Sequence, residues 1–540
     1  MHSFSIRSAQ LPEARGIKQV CAVLALLSFL SAMLPAAESA APPAQTAPVP
    51  SRPEHRGIAD LSAEAQVEHF TETRQSLASD PYRPLYHFAP PGYGTHDPAG
   101  LCWWQGKYHL FYLFSVPGVL WGRGHAVSDD LVHWIDQPML PKTFRGGTGQ
   151  VWAEKNRAIM SRPLSTASDP MLARWVEQPT KMGGDSFLWR EGDTYYFTST
   201  IRGTTTALAL WRSTDLEQWT PMGRFLEDAF FTDPGTDCSC PNILSLGNGK
   251  HLVLFFSHNQ GPQYYIGTMD LQKGRFTIEE HGKMNYGPVM RGSLHAPTGV
   301  VDPLGRCIGM WNVFEGVIKE SFTGSKNGVM SLPRHLSLNP QATCNDRDKR
   351  NLNPLCVEPL EELKKLRFNP THIENLPIPA NGETVLDGVR GKAIELEVVI
   401  DPRKAREVGL RILRSPDAAE YTTISLSMHA WAWPWSSLKR EIMVDVSQAS
   451  LSPDVASRTP EIGPLFLKDG EPLRLRVFVD RSIIEVYANG RQCLTMRAYP
   501  TRSDSVGVSV FSRGSEANLI SLEAYQMRSI WPELKPHEGH

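Results

Sequence analysis

An aspartate opens the run T-H-D-P-A-G (Thr95 to Gly100), and behind it stand W-W-Q-G-K-Y-H-L-F-Y-L-F (Trp103 to Phe114) and W-G-R-G-H-A-V-S-D-D-L-V-H-W (Trp121 to Trp134). A carboxylate held before a proline and a glycine, at the lip of an aromatic strand, is placed to attack an electrophilic carbon. Asp97 is therefore a candidate nucleophile. The same residue can instead cap a turn, because Asp-Pro pairs commonly open one. Covalent catalysis by a carboxylate needs a second group that gives and takes a proton. Further acids stand at Asp185, in G-G-D-S-F-L-W-R-E-G-D-T-Y-Y-F-T-S-T, at Asp233, in F-T-D-P, and at Asp237, in D-C-S-C-P-N-I-L-S-L.

Residues so far apart must be brought together by the fold. From Pro84 onward, short aromatic and β-branched runs alternate with glycine, proline and aspartate, as at Tyr108 to Phe114, Thr194 to Thr200, His251 to Ser257 and Gln263 to Met269. That is all-β spacing. S-D-D-L-V-H-W (Ser128 to Trp134) returns as S-T-D-L-E-Q-W (Ser213 to Trp219), and more weakly as M-D-L-Q-K-G-R-F (Met269 to Phe276). Repeated strand units with one kind of outer turn indicate propeller blades. Leucines at helical spacing between Asn351 and Pro370 predict a short linker helix. Alternation then resumes at Ala393 to Ile400, Leu473 to Val479, Ile483 to Tyr487 and Val506 to Phe511, the pattern of a β-sandwich.

At 540 residues the chain is too long for one hydrophobic core, and two domains are expected. A net charge of -2 with 21% charged residues gives no basic face for nucleic acid. Arg7, Arg15 and Lys18 precede an apolar run from Val20 to Leu34 and then the small residues Ala36, Ala37, Ser39, Ala40 and Ala41, the order of a signal peptide, with an uncleaved anchor as the alternative. Alanine and proline crowd the stretch from about Pro35 to Glu54, and the expected organisation is a signal over 1–40, a flexible leader over 41–80, a propeller over 81–350, a linker helix over 351–375 and a sandwich over 376–535. Such a protein is secreted or periplasmic, with no membrane attachment after processing. Of eight cysteines, Cys21 leaves with the signal and at least one of the remainder must stay unpaired. Cys344 and Cys356 are candidates for a bridge. No cofactor or metal motif is present; Cys238 and Cys240 lack a second ligand pair at zinc spacing.

The string around Asp97 resembles the first blade of glycoside hydrolase family 32, the β-fructofuranosidases, where N-D-P-N-G carries the nucleophilic aspartate. L-R-V-F-V-D-R-S-I-I-E-V-Y-A-N-G-R-Q-C-L-T-M-R-A-Y-P (Leu475 to Pro500) resembles the C-terminal sandwich signature of that family. The resemblance spans roughly residues 84 to 535 and implies an all-β fold, a five-bladed β-propeller followed by a β-sandwich, with the site in an axial funnel. It implies Asp97 as nucleophile and Asp185 as the aspartate that grips sugar hydroxyls, although Gly184 stands where the R-D-P motif of the family has arginine. Asp233 competes for that second role. At the E-C-P-D motif the glutamate that serves as acid and base is replaced by Ser239. Asp237, two residues earlier on the same face of an extended strand, is then the nearest carboxyl. Near an apolar wall and a second carboxylate, an acid in that role should have a raised pKa.

The substrate contacts implied by the family are altered too. Leu113 replaces a glutamine, and His96 and Ala99 replace asparagines. Trp121 and Trp152 offer flat faces to sugar rings, while His96 and His295 can stand in as polar contacts. Three readings follow: a secreted retaining hydrolase acting on a furanoside within an oligo- or polysaccharide, a carbohydrate-binding propeller that has lost its acid, and a protein-binding propeller. Axial carboxylates argue against the third, which has no need of them.

Overall fold

The computed structural model describes residues 57–531 apart from 93, 117–118, 142–143, 145–146, 180–181, 202, 204, 229, 288, 290–291, 317–327, 341–352, 430–438, 456–457, 466 and 469. The signal segment, the leader up to residue 56 and Cys344 lie outside that range. Among the described residues no helix is long and apolar enough to cross a membrane.

Five antiparallel sheets follow one another in sequence, each built mainly from consecutive strands. Their first strands are Gly94–Trp104, Val151–Ala153, Ser186–Glu191, Ser239–Gly247 and Leu294–Val301. Each of these touches the next, and the fifth touches the first, so the sheets close into a ring. This is the five-bladed propeller. The repeated sequence string is the turn into the outermost strand. Asp130 Oδ1 accepts from the backbone N–H of Val132 and His133 at 3.0 and 2.9 Å, and Asp215 Oδ1 accepts from those of Glu217 and Gln218 at 2.8 Å each. In both turns the following leucine has a positive φ, 63° at Leu131 and 69° at Leu216, and is buried.

The sandwich has two six-stranded antiparallel sheets, one containing Ala393–Asp401, Leu473–Asp480 and Ile483–Ala488, the other Glu407–Arg414, Thr422–His429 and Gly507–Arg513. Leu396, Val398, Leu410, Ile424, Val477 and Leu522 fill the space between them. Two acids of the signature string leave that pattern and grip the propeller. Asp480 accepts from the backbone N–H of Leu85, Tyr86 and His87 at 2.7, 2.8 and 2.9 Å, and lies 2.9 Å from His87 Nδ1. Glu485 accepts from the N–H of Leu332 at 2.9 Å and pairs with Arg334 at 3.3 Å. His87, Arg334, Asp480 and Glu485 are all fully buried.

Two sequence expectations change. The leader is not flexible throughout: Ala63–Ser76 is an α-helix capped by Ser62, whose Oγ accepts from Ala65 N at 3.3 Å. Its Arg74 is buried, paired through two nitrogens with Asp136 at 2.7 and 2.9 Å and laid over the Trp531 ring at 3.3 Å. The linker helix shrinks to the 3-10 turn Glu361–Leu366, because Leu355–Pro359 is the outer strand of the fifth blade and Arg367–Ile378 already belongs to the sandwich. Pro354 and Pro359 forbid a longer helix there.

Replacing Asp480 with alanine leaves buried N–H groups and His87 without their acceptor. The expected loss is about 3–5 kcal/mol of folding stability, read from the denaturant midpoint of the purified protein.

Candidate functional site

Inner strands of propeller blades are edge strands, so they tolerate prolines and bulges that a central strand cannot. Three of the five are irregular where an X-Pro pair falls. Register slips between Thr95 and Pro98, between Ser239 and Asn242, and between Leu294 and Pro297. At the second, Cys240 has a left-handed φ of 53°. The bulges release Asp97, Ser239, Cys240 and His295 from ladder geometry toward a shared cavity of about 240 Å³, which Asp185, Thr148, His96, Leu113, Trp121, Phe256 and His258 also line.

Asp97 is 8% exposed. Its Oδ1 lies 2.8 Å from His96 Nδ1 and 2.9 Å from His295 Nδ1, although neither ring aims an N–H straight at it. Burial alone would raise the Asp97 pKa, but His295 and His96 outweigh it and hold the carboxyl well below its ordinary range. His295 is itself boxed by Phe256 and Phe314, with ring centroids 3.9 and 4.3 Å away, and its Nδ1 is 3.2 Å from Asn312 Oδ1. Burial lowers its pKa. His96 lies edge-on to Trp121 at 5.0 Å, and Trp121 is 38% exposed at the rim.

The three donor atoms of His96, Asp97 and His295 lie within 4.8 Å of one another and are of the kind that holds a divalent ion. Two ligands of a tetrahedral zinc ion, at about 2.0–2.1 Å from it, stand about 3.3 Å apart. The observed 2.8 and 2.9 Å are the distances of direct contact with the carboxylate. In the trio both imidazoles lie directly against the Asp97 carboxylate.

Asp185, just ahead of the third inner strand, accepts from Cys240 N at 3.3 Å and pairs with Arg162 Nη1 at 3.4 Å. Arg162 thus supplies, from the second blade, a cation beside Asp185 where Gly184 supplies none. Gly147 and Gly149 make room for it, since a Cβ at either would collide with Arg162. Cys240 Sγ stands 4.0 Å from an Asp97 oxygen and 3.9 Å from an Asp185 oxygen. Burial first, and then the charges of both aspartates, push this thiol far above its usual range. It is a neutral filler between two carboxylates.

Asp237 lies in an adjoining part of the funnel with Arg162, Asp185, Thr200, Ser239 and His258. Its Oδ2 accepts from Ser239 Oγ and meets His258 Nδ1, both at 2.7 Å, and its Oδ1 accepts from His258 N at 2.8 Å. The raised pKa expected of Asp237 is overturned. Burial raises it, but the hydrogen bonds from His258 and Ser239 prevail and hold it at about 2. Ser239 is buried and donates to Asp237.

The other sequence candidates separate. Trp152 lines a different cavity, with Trp103, Trp189, Ile243 and Val300, formed by the far ends of the inner strands. Asp233 is exposed on the turn before the fourth blade and lines neither part of the funnel. His295 faces Asp97 from beneath. Sequence reading missed Arg162, Cys240 and His258, which come from a hairpin of another blade, the bulge itself and the end of a second strand.

Comparison with known proteins now decides the lineage. The model for the glycosyl hydrolases family 32 N-terminal domain matches residues 87–153 and 148–352, and that for the family 32 C terminal matches 362–526. The chain belongs to glycosyl hydrolase family 32. As a family 32 protein it is a glycoside hydrolase of β-fructofuranosidase-like type. It is 24% identical over 524 residues to the levanase of Bacillus subtilis (strain 168), covering 84% of this chain and 72% of the levanase. It is 25% identical over 589 residues to beta-fructofuranosidase 1 of Zea mays, covering 89% and 84%. The crystal structure of fructan 1-exohydrolase IIa from Cichorium intybus shares the fold, with a TM-score of 0.71 and 20% identity over 83% of this family 32 chain and 98% of the exohydrolase.

Native protein treated with iodoacetamide at about pH 8, near the free-thiol pKa, should leave Cys240 unlabelled until the chain is unfolded. Peptide mass spectrometry checks this; rapid labelling in the native state would show that the thiol is neither buried nor held protonated.

Proposed function

We propose that this family 32 protein is an exported retaining hydrolase that removes a terminal furanose from an oligo- or polysaccharide, with Asp97 as nucleophile and Asp185 holding sugar hydroxyls. The observation that carries the reading is the placement of the buried Asp97 carboxylate at the floor of the funnel, against His96 Nδ1 and His295 Nδ1. An ionised carboxylate freed of most of its water is a competent nucleophile toward an anomeric carbon. The cavity around it, about 240 Å³, has room for one ring and continues past Asp185, Ser239 and His258 into the adjoining part of the funnel. Trp121, Leu113 and Phe256 give it apolar walls. The named activities of the levanase, fructofuranosidase and exohydrolase relatives support a furanoside substrate.

Ser239 favours a second reading, a sugar-binding protein without turnover, because a serine hydroxyl gives up no proton near neutrality.

Levan, inulin, sucrose and arabinans, assayed for binding and for released sugar, separate the two. Turnover by the unmodified protein is expected on a furanose-containing glycan, and Asp97→Asn should bring it to background while binding persists. Binding without cleavage at any pH, even at high protein concentration, would leave the second reading standing. For export, the order of charged, apolar and small residues places the mature N-terminus near Ala40 or Ala41. Mass spectrometry of protein from a native-like host should find it there, and an intact Met1 on a cytoplasmic protein would refute it.

A further inference from the structure

A retaining hydrolase needs a proton on the departing oxygen, and Ser239 occupies the position where a carboxylic acid would deliver it. What stands beside Ser239 is a histidine fixed by an aspartate. His258 follows the second strand of the fourth blade, Lys250–Ser257, and lines both parts of the funnel with Asp185 and Ser239. Two contacts anchor it to Asp237, Nδ1 to Oδ2 at 2.7 Å and backbone N to Oδ1 at 2.8 Å. Phe256 meets its ring edge-on at 5.4 Å. The side chain is still 62% exposed to the funnel space.

From this geometry we propose that His258, oriented by Asp237, is the general acid and base, so that the pair replaces the missing glutamate. The inference rests on the hydrolase reading above. When the ring is protonated, Nε2–H gives its proton to the leaving oxygen as the bond from that oxygen to the anomeric carbon breaks. The bonding pair goes to the oxygen, while Asp97 donates a pair to the carbon. In the second half neutral Nε2 takes a proton from water as the water oxygen bonds to the carbon, and the pair of the Asp97 ester bond returns to the carboxylate. Asp237 touches no reacting atom and is a positioning residue.

The charges around His258 fit that role. Asp237 raises its pKa first by hydrogen bonding and then by charge, burial lowers it, and Asp185 and Asp97 add smaller upward pulls. Arg162 is the cation facing the same space. Activity requires the imidazolium, so it falls as pH rises through the His258 pKa, which lies above the ordinary 6.5. An acid role for Asp237 itself would instead lose activity above about pH 2, where that carboxyl ionises.

The experiment compares unmodified protein, His258→Gln, His258→Ala and Asp237→Asn on levan oligosaccharides and on 4-nitrophenyl β-D-fructofuranoside, whose phenolate departs without a proton. On the oligosaccharides kcat/KM of His258→Gln should fall about 10²–10⁴-fold, and on the nitrophenyl glycoside kcat/KM, which reports the step that needs no acid, less than about tenfold. Added imidazole should restore part of the His258→Ala activity, which it would not do for a structural loss. In Asp237→Asn the alkaline fall in kcat/KM should move to lower pH. Equal losses in kcat/KM on both substrates, no response to imidazole, or oligosaccharide turnover unchanged in His258→Gln would each overturn the proposal. If unmodified protein cleaves neither substrate, the hydrolase reading fails first and this one with it.

Discussion

A carboxylate that has lost nearly all its water must be compensated by its neighbours or take up a proton, and the floor of the funnel is arranged around that requirement. Asp97 meets two imidazoles on one oxygen and a neutral thiol near the other. His295 in turn requires the aromatic box of Phe256 and Phe314, because a half-solvated ring would shift off the carboxylate. The same demand accounts for the second carboxylate. Asp185 sits beside Cys240 rather than against Asp97, with Arg162 on its outer side. Two like charges are thus kept apart by a filler that burial prevents from ionising.

Geometry supplies the other half. A regular inner strand would send alternate side chains to opposite faces of its own blade, and none of the five could then collect several groups at the axis. The X-Pro bulges break that alternation. Proline costs little there because the inner edge has no ladder partner waiting for its N–H. Family membership and the bulges therefore describe one frame, within which the aspartates are brought to the axis.

Local features were readable in the sequence, and long-range ones were not. Blades and sandwich strands announced themselves through alternation, and the Asp-Leu turn through its repeat. Asp97 stood out before Pro98 at the lip of an aromatic strand, and Asp185 through the tryptophan, charged turn and paired tyrosines that follow it. Trp152 misled because a rise of about 3.3 Å per residue carries a side chain from one end of the axis to the other within a few positions of Thr148. Asp237 was placed in the funnel by spacing alone, yet its protonation is set by His258, 21 residues later and on another strand. Helix Ala63–Ser76 fell inside the expected flexible leader; Arg74 becomes a core residue only through Asp136 and Trp531.

The grip of the sandwich on the propeller has a consequence for the order in which the protein is made. Residues 85–88 form a strap ahead of the first blade. One side of it is held by Asp480, and the other by the fifth blade, where Met330 N donates to Phe88 O at 2.8 Å. The strap joins the start of the ring to its end, and its acceptor lies nearly four hundred residues downstream. A ribosome that has delivered all five blades has not yet delivered the clasp. Until Asp480 and Glu485 emerge, His87 and Arg334 lack the carboxylates they are buried against. The C-terminal domain is in this sense the final step in assembling the N-terminal one.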